Sequence, residues 1–283
     1  MHVNDHSSTS NREPLLLLYA GNQLFESFLD PSMNYSCGFW RDAKDLTEAQ
    51  QHKMELIGRK LKLKKGMRVL DIGCGWGGLC KYLAEAYEVN VVGITVSKEG
   101  AVIARERCGT LPVEIRVQDY RELNEKFDRI VSVGMFEHVG RKNYRTFMKV
   151  ADRCLTDDGL LLLHTIGIDN DYVPPIEPWV NKYIFPNGIL PDHKEIPKAI
   201  DHLFTIEDWH NIGADYDKTL MAWYANFVKN WPTIQHLVDD PKKFYRMWSF
   251  YLLLGAGLFR SRKFHCWQIV LTKGAPGGYQ SVR

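Results

Sequence analysis

Residues Val69 to Leu79 read Val-Leu-Asp-Ile-Gly-Cys-Gly-Trp-Gly-Gly-Leu. An apolar strand runs into Asp71-Ile72-Gly73-Cys74-Gly75, and a helix is predicted to begin near Gly77. Glycines at a strand-to-helix turn let the backbone pass close to a bound cofactor. Gly73, Gly75 and Gly78 also satisfy the G-x-G-x-x-G spacing of dinucleotide sites, so glycines alone do not choose the cofactor. Asp71 does. A carboxylate two places before the first glycine suits the cationic amino-acid end of S-adenosylmethionine (SAM) and repels a pyrophosphate. The alternative is a tight turn without a ligand, which four glycines in six residues would weaken.

Outward from this turn the chain alternates short β-branched runs with helical patterns. Val69–Ile72, Val89–Ile94, Val113–Val117, Arg129–Val133 and Leu160–His164 read as strands, and Trp267–Leu271 as a last one far downstream. Their spacing of roughly 20 to 30 residues is that of βα units, and near-continuous apolar runs suit a sheet covered on both faces. The fold class expected is α/β, a doubly wound, mostly parallel sheet that binds ligands at the carboxyl ends of its strands. Before it, Thr47 and Gln50 have capping-box spacing ahead of an apolar stripe of Met54, Ile57 and Leu61. Residues 1–20 are expected to be poorly ordered, and residues 21–283 to form one catalytic domain. Between Ile168 and Ile200 lie six of the twelve prolines, with Trp179, Tyr183 and Phe185 among them, which predicts an inserted lid or pocket wall over 168–200. Leu220–Trp231 and Phe244–Arg262 read as aromatic-rich helices.

Composition narrows the function. A formal charge of +2, without a basic run, gives no footprint for nucleic acid. The cysteines Cys37, Cys74, Cys80, Cys108, Cys154 and Cys266 show no zinc spacing, so no metal is expected, and without a signal peptide they read as reduced thiols in the cytoplasm. The longest apolar run, Met247 to Phe259, is shorter than the ~20 residues of a spanning helix. The protein is expected to be soluble or peripheral to a membrane.

Several further stretches share one resemblance. Tyr35-Ser36-Cys37-Gly38-Phe39-Trp40, the glycine turn, Val133-Gly134-Met135-Phe136-Glu137-His138-Val139-Gly140, Leu163-His164-Thr165-Ile166-Gly167, Lys182 to Gly188 and Asp208 to Tyr216 resemble, in order, the cyclopropane-fatty-acyl-phospholipid synthases. These are SAM-dependent enzymes related to the mycolic acid cyclopropane synthases, with a class I methyltransferase-like fold. The similarity runs from about Gly21 to the C-terminus. It implies that a cis double bond of a phospholipid acyl chain attacks the SAM methyl, and that bicarbonate then removes a proton from the carbocation as the ring closes. It also implies membrane contact from the cytoplasm, and it is compatible with a homodimer.

Residue by residue, the resemblance implies bicarbonate-binding side chains at Glu137, His164 and Tyr216, and backbone groups for the same ion at Cys37 and Ile166. It implies SAM contacts at Tyr35, Ser36, Gly73, Gly75 and Thr95. Asp119, after the third strand, stands where such folds often meet the adenine. A carboxylate accepts the bicarbonate hydroxyl, while an imidazole and a phenol donate in return. The plain alternatives are a solvated helix start at Glu137, a satisfied core histidine at His164, an ordinary aromatic at Tyr216 and a structural thiol at Cys37.

The sequence departs from the family at several points. Leu17-Leu18-Tyr19 replaces a usual His-Tyr-Asp triplet, Gly100 replaces a glutamine that contacts SAM, and Gly255 stands where some members have a cysteine. A separate N-terminal domain found in many bacterial members has no counterpart, so the chain is expected to be the catalytic part. An N- or O-methyltransferase of the same superfamily, or a SAM- and lipid-binding homologue without catalysis, remain alternatives. A nicotinamide dehydrogenase lacks its acidic ribose ligand, because Ile94-Thr95 stands at that place.

Overall fold

The computed structural model describes residues 15–169, 178–274 and 278–283, with the side chains of 15–20 and 178 excluded. Pro174 and Pro175 of the expected lid lie outside the described residues, as do residues 1–14. The strands are β1 (Arg68–Ile72), β2 (Asn90–Thr95), β3 (Val113–Val117), β4 (Phe127–Val133), β5 (Leu155–Gly167), β6 (Thr205–Asn211) and β7 (His265–Thr272). They form one sheet in the order β3-β2-β1-β4-β5-β7-β6. The first five are parallel, and β7 runs antiparallel between β5 and β6. The doubly wound, mostly parallel sheet is therefore present, and its order reverses between β1 and β4, where such folds open a ligand crevice.

The helices are α1 (Leu15–Phe28), α2 (Leu46–Lys60), α3 (Gly78–Tyr87), α4 (Lys98–Cys108), α5 (Tyr144–Cys154), α6 (Pro178–Tyr183), α7 (Glu195–Ile200), α8 (Gly213–Ile234) and α9 (Pro241–Arg260). One apolar layer packs α5 and α7 on the sheet through Phe147, Met148, Ile196 and Ile200. A second covers the other face through Met54, Ile57, Leu83 and Ala104. A third, rich in aromatics, gathers α1, α8 and α9 around Phe25, Phe28, Trp223 and Trp248. That third cluster carries the site.

Four local differences from the sequence reading have physical causes. The edge strand β6 was not expected, because Thr205-Ile206-Glu207-Asp208-Trp209-His210-Asn211 is polar, half exposed and bulged between Ile206 and Asp208. An edge strand buries too little to need an apolar run. The cap of α2 is Asp45 rather than Thr47: its Oδ1 accepts the Glu48 N–H at 2.9 Å, and Glu48 Oε2 accepts the Lys44 N–H at 2.9 Å. With those donors satisfied, Thr47 falls inside the first turn and Gln50 points inward, donating to the Ser36 carbonyl at 2.9 Å. The boundary expected at residue 20 falls inside α1, which is broken at Gly21 (φ 60, ψ −174). The segment expected as a lid divides: Ile196, Ala199 and Ile200 belong to the core on α5, whereas Val180, Phe185, Gly188 and Leu190 line a cavity.

Candidate active site

A cavity of about 180 Å³ opens beside the carboxyl ends of β4 and β5, under α8 and α9. It brings together Tyr35, Ser36, Glu137, His164, Ile166 and Tyr216 from four separate stretches of sequence. The Tyr35–Trp40 segment is docked on α8 by polar bonds. Thr219 Oγ1 accepts the Gly38 N–H at 3.0 Å and the Trp40 Nε1–H at 2.9 Å, and Asp215 Oδ2 accepts the Trp40 N–H at 3.1 Å. From below, the buried Lys53 Nζ donates to Asn34 Oδ1 at 2.8 Å and to Ser36 Oγ at 3.0 Å. Burial lowers this lysine to about 8, with nearby carboxylates opposing the fall.

Glu137 sits in a one-turn 3₁₀ helix, Phe136–His138, just past β4. Its Oε1 accepts the Ile166 N–H at 2.6 Å, and its buried Oε2 has no hydrogen-bond partner among the described residues. Burial pushes its carboxyl up to about 7, against the stabilising Ile166 N–H. His164, on β5, is 2% exposed. Its Nε2 lies 3.1 Å from Cys266 Sγ and its Nδ1 3.3 Å from Gln268 Nε2. Burial first, then the charges of Lys53 and Lys60, lower its pKa to about 3, so it is a neutral imidazole at physiological pH. Tyr216, in the first turn of α8, packs its ring 4.4 Å from that of Phe259. Burial raises its pKa well above the ordinary value and keeps the phenol protonated.

One of the expected backbone donors is already engaged in the structure. The Ile166 N–H is engaged by Glu137 rather than open to an ion, because the buried carboxylate needs a donor more than the cavity does. Cys37 lies behind the cavity wall, its thiol donating to the Gly38 carbonyl at 3.2 Å. All six cysteines are free and buried.

The remaining cofactor candidates gather at the carboxyl edge of β1, β2 and β3, adjoining the cavity rather than lining it. Gly73 and Gly75 have φ of +91° and +53°, in the left-handed region where a side chain is strained. A Cβ on Gly75 would meet nothing within 4 Å, so open space lies beside the turn. Asp71 is buried beneath it, accepting from Cys80 Sγ at 3.3 Å, and burial raises its carboxyl to about 6. Thr95 Oγ1 accepts the Ser97 N–H at 3.1 Å. Both Asp119 oxygens are engaged by Arg121, which holds the carboxyl below its usual range. Gly100 sits in the first turn of α4, where its N–H is capped by Ser97 Oγ at 3.0 Å.

Sequence reasoning missed Tyr251, His138, Lys53 and Gln268. Tyr251 lines the cavity and shares a 2.7 Å hydrogen bond with the Tyr35 hydroxyl across 216 residues of chain. In sequence it is one aromatic in an apolar helix, with no local signal. His138 also lines the cavity, and burial lowers its pKa.

A model of the mycolic acid cyclopropane synthetase family matches residues 13–269. This chain belongs to that family. It is 53% identical over 263 residues to the cyclopropane-fatty-acyl-phospholipid synthase of Escherichia coli K12, covering 93% of this chain and 68% of that protein. Among solved structures, the cyclopropane synthase MmaA2 from Mycobacterium tuberculosis superposes with a TM-score of 0.84 at 29% identity, covering 93% of this chain and 99% of that one. The mycolic acid cyclopropane synthase CmaA1 in complex with SAH and CTAB gives 0.83 at 32% identity, covering 89% and 94%. The sheet is thus the class I methyltransferase-like sheet of this family, and the cavity lies at its carboxyl edge.

Proposed function

We propose that this chain is a SAM-dependent cyclopropane synthase acting on cis double bonds of phospholipid acyl chains, with a bicarbonate ion held by Glu137, His164 and Tyr216. One observation carries this reading. An unpartnered carboxylate oxygen, Glu137 Oε2, is buried in a mostly apolar cavity that a neutral His164 and a protonated Tyr216 also line. A buried acceptor without a donor costs about 1–3 kcal/mol, and the hydroxyl of bicarbonate supplies that donor. The neutral His164 and the phenol of Tyr216 offer hydrogens to the other oxygens.

The SAM class fits the chain's own groups: the positive-φ turn leaves open space at Gly75, and the buried Asp71 offers a carboxylate to a cationic amino group. Tyr35, Ser36 and Thr95 complete the proposed cradle, with Asp119 at its adenine end. Bound there, SAM supplies an electrophilic methyl group through its sulfonium. Bicarbonate held by the second set would supply a base for the proton lost on ring closure.

The protein's share is positioning, drying and electrostatics. Leu220, Leu254, Leu258 and Phe264 form an apolar wall that accepts an acyl chain and excludes water, which would quench a carbocation. Tyr35, Tyr251 and Phe185 present aromatic rings to the same space, and each ring face beside a cation is worth about 0.5–2 kcal/mol. Glu137, ionised above about pH 7, adds a negative charge beside the developing positive one.

An acyl chain must reach this cavity from a bilayer. Among the described residues no helix is long and apolar enough to cross a membrane. The outer face of α9 exposes Phe250 (48%) and Leu253 (42%), and the Trp179 ring of α6 lies 5.0 Å from that of Phe250. The buried face of α9 meanwhile supplies Trp248, Leu252 and Phe259 to the core. We place the docking surface of a peripherally bound enzyme at this exposed patch. The activity reading is tested by stripping bicarbonate from the assay: turnover should fall and return on its addition. Tyr216→Phe should lose kcat with little change in SAM affinity. A rate indifferent to bicarbonate would remove the ion from the account and favour methylation of an amine or hydroxyl.

A further inference from the structure

Three strands bring a polar row across the floor of the site. In the register of β5, β7 and β6, Gln268 stands directly opposite His164 on one side and His210 on the other. Cross-strand partners share a face of the sheet. Gln268 is fully buried, and its amide nitrogen is 3.3 Å from His164 Nδ1. Beyond it, Lys60 Nζ lies 3.1 Å from His210 Nδ1 and 3.4 Å from Asp208, which Arg283 also binds.

The Gln268 amide sets the tautomer of the His164 ring, and the thiol on the other side fits it. On one side the Gln268 amide nitrogen can only donate, so Nδ1 must accept. On the other side lie two thiols. Cys37 donates to the Gly38 carbonyl at 3.2 Å. Cys266 Sγ lies 3.1 Å from His164 Nε2 and accepts its hydrogen once Nδ1 is held as the acceptor. Nε2 therefore carries the proton. Gln268 Oε1 has no partner among the described residues; turning the amide over would demand a hydrogen on Nδ1 and turn the Cys266 thiol to donate to Nε2.

We propose that Gln268 is a positioning residue that holds His164 as its neutral Nε2–H tautomer, so that the ring's one hydrogen stands against the weakly accepting Cys266 sulfur, from which an anion in the cavity draws it. Burial, and then the charges of Lys53 and Lys60, oppose a second proton on the ring. A donor is what an anion requires, so the inference deepens the bicarbonate reading and rests on it for its functional meaning. The tautomer itself does not depend on that reading.

The test is long-range ¹⁵N–¹H NMR of the full chain labelled at histidine, with the His164 signals assigned by their loss in His164→Gln. A pyridine-type Nδ1 and a pyrrole-type Nε2 at neutral pH are expected. The opposite pattern overturns the proposal in the wild-type protein alone, whether or not any variant folds. Gln268→Glu, which replaces the donor by an acceptor, should switch the pattern to Nδ1–H. It should lower kcat by about tenfold or more, since a histidine in the wrong tautomer can lose about 10⁴ in rate. SAM affinity should stay within about twofold, because the change acts on chemistry rather than on cofactor binding. A switched tautomer with unchanged kcat would also overturn the positioning role. A bicarbonate-independent rate beside the expected tautomer would instead count against the ion alone.

Discussion

Replacing Glu137 by glutamine should make the folded protein more stable at alkaline pH while abolishing most of its turnover. The carboxyl is buried, and its pKa is raised from 4.5 to about 7. A group with a raised folded pKa is favoured in its protonated form, so the folded state binds the extra proton between those two values. Its contribution is fully present below pH 4.5 and is lost as pH rises through about 7. At 1.36 kcal/mol per pKa unit, the ionised side chain at pH 8 destabilises the fold by about 3 kcal/mol relative to its neutral form. Glutamine keeps the shape and never ionises. The Glu137→Gln protein should therefore gain on the order of 3 kcal/mol at pH 8 and almost nothing at pH 4.5. Urea unfolding at the two pH values reads this directly. In the activity assay the wild-type rate should climb through pH 7 as the carboxyl ionises, and the variant should show neither that limb nor more than residual rate. Equal stability of the two proteins at pH 8 would refute the assigned burial of the charge. Full activity in the variant would refute its role.

Two other expectations follow from the same geometry. Asp71→Ala should weaken SAM binding in calorimetry by about 1.5–3 kcal/mol, the worth of a charge-assisted hydrogen bond, and wild-type affinity should itself fall as pH drops through about 6 and the carboxyl protonates; equal affinity in variant and parent would move the cationic end of the ligand elsewhere. Co-sedimentation with phospholipid vesicles should increase with anionic lipid, decrease with salt and weaken on Phe250→Asp, as apolar anchoring combines with about 1 kcal/mol for each basic residue near the surface. Binding indifferent to all three would leave α9 as core alone.

The fold was legible where burial writes itself into sequence. β1, β2, β4 and β5 are covered on both faces, so their apolar runs mark them, and the positive φ at Gly73 and Gly75 explains why glycine punctuates the turn. β6 left no such mark, because its exposed edge tolerates Glu207 and Asp208 in mid-strand. The cap of α2 was misplaced by two residues, since Asp45 and Thr47 are both good caps and only packing decides between them. The site divides in the same way. The turn at Asp71 speaks for itself, whereas Glu137, His164 and Tyr216 gain meaning from motifs lying in order along the chain. Gln268, Tyr251 and Lys53 were invisible, because each acquires its role from a partner brought in by tertiary structure, as His164 is brought to Gln268 across 104 residues. No local pattern encodes such pairs.

The central claim, that a double bond is converted to a ring, is tested most directly by mass spectrometry of the lipid product. Purified protein is incubated with SAM and vesicles of a phospholipid bearing one cis-unsaturated chain. The account predicts the gain of one CH₂ on that acyl chain together with loss of its double bond, shown by fragmentation and by resistance of the product to hydrogenation. A CH₂ gained with the alkene intact, or gained on the headgroup, would contradict it.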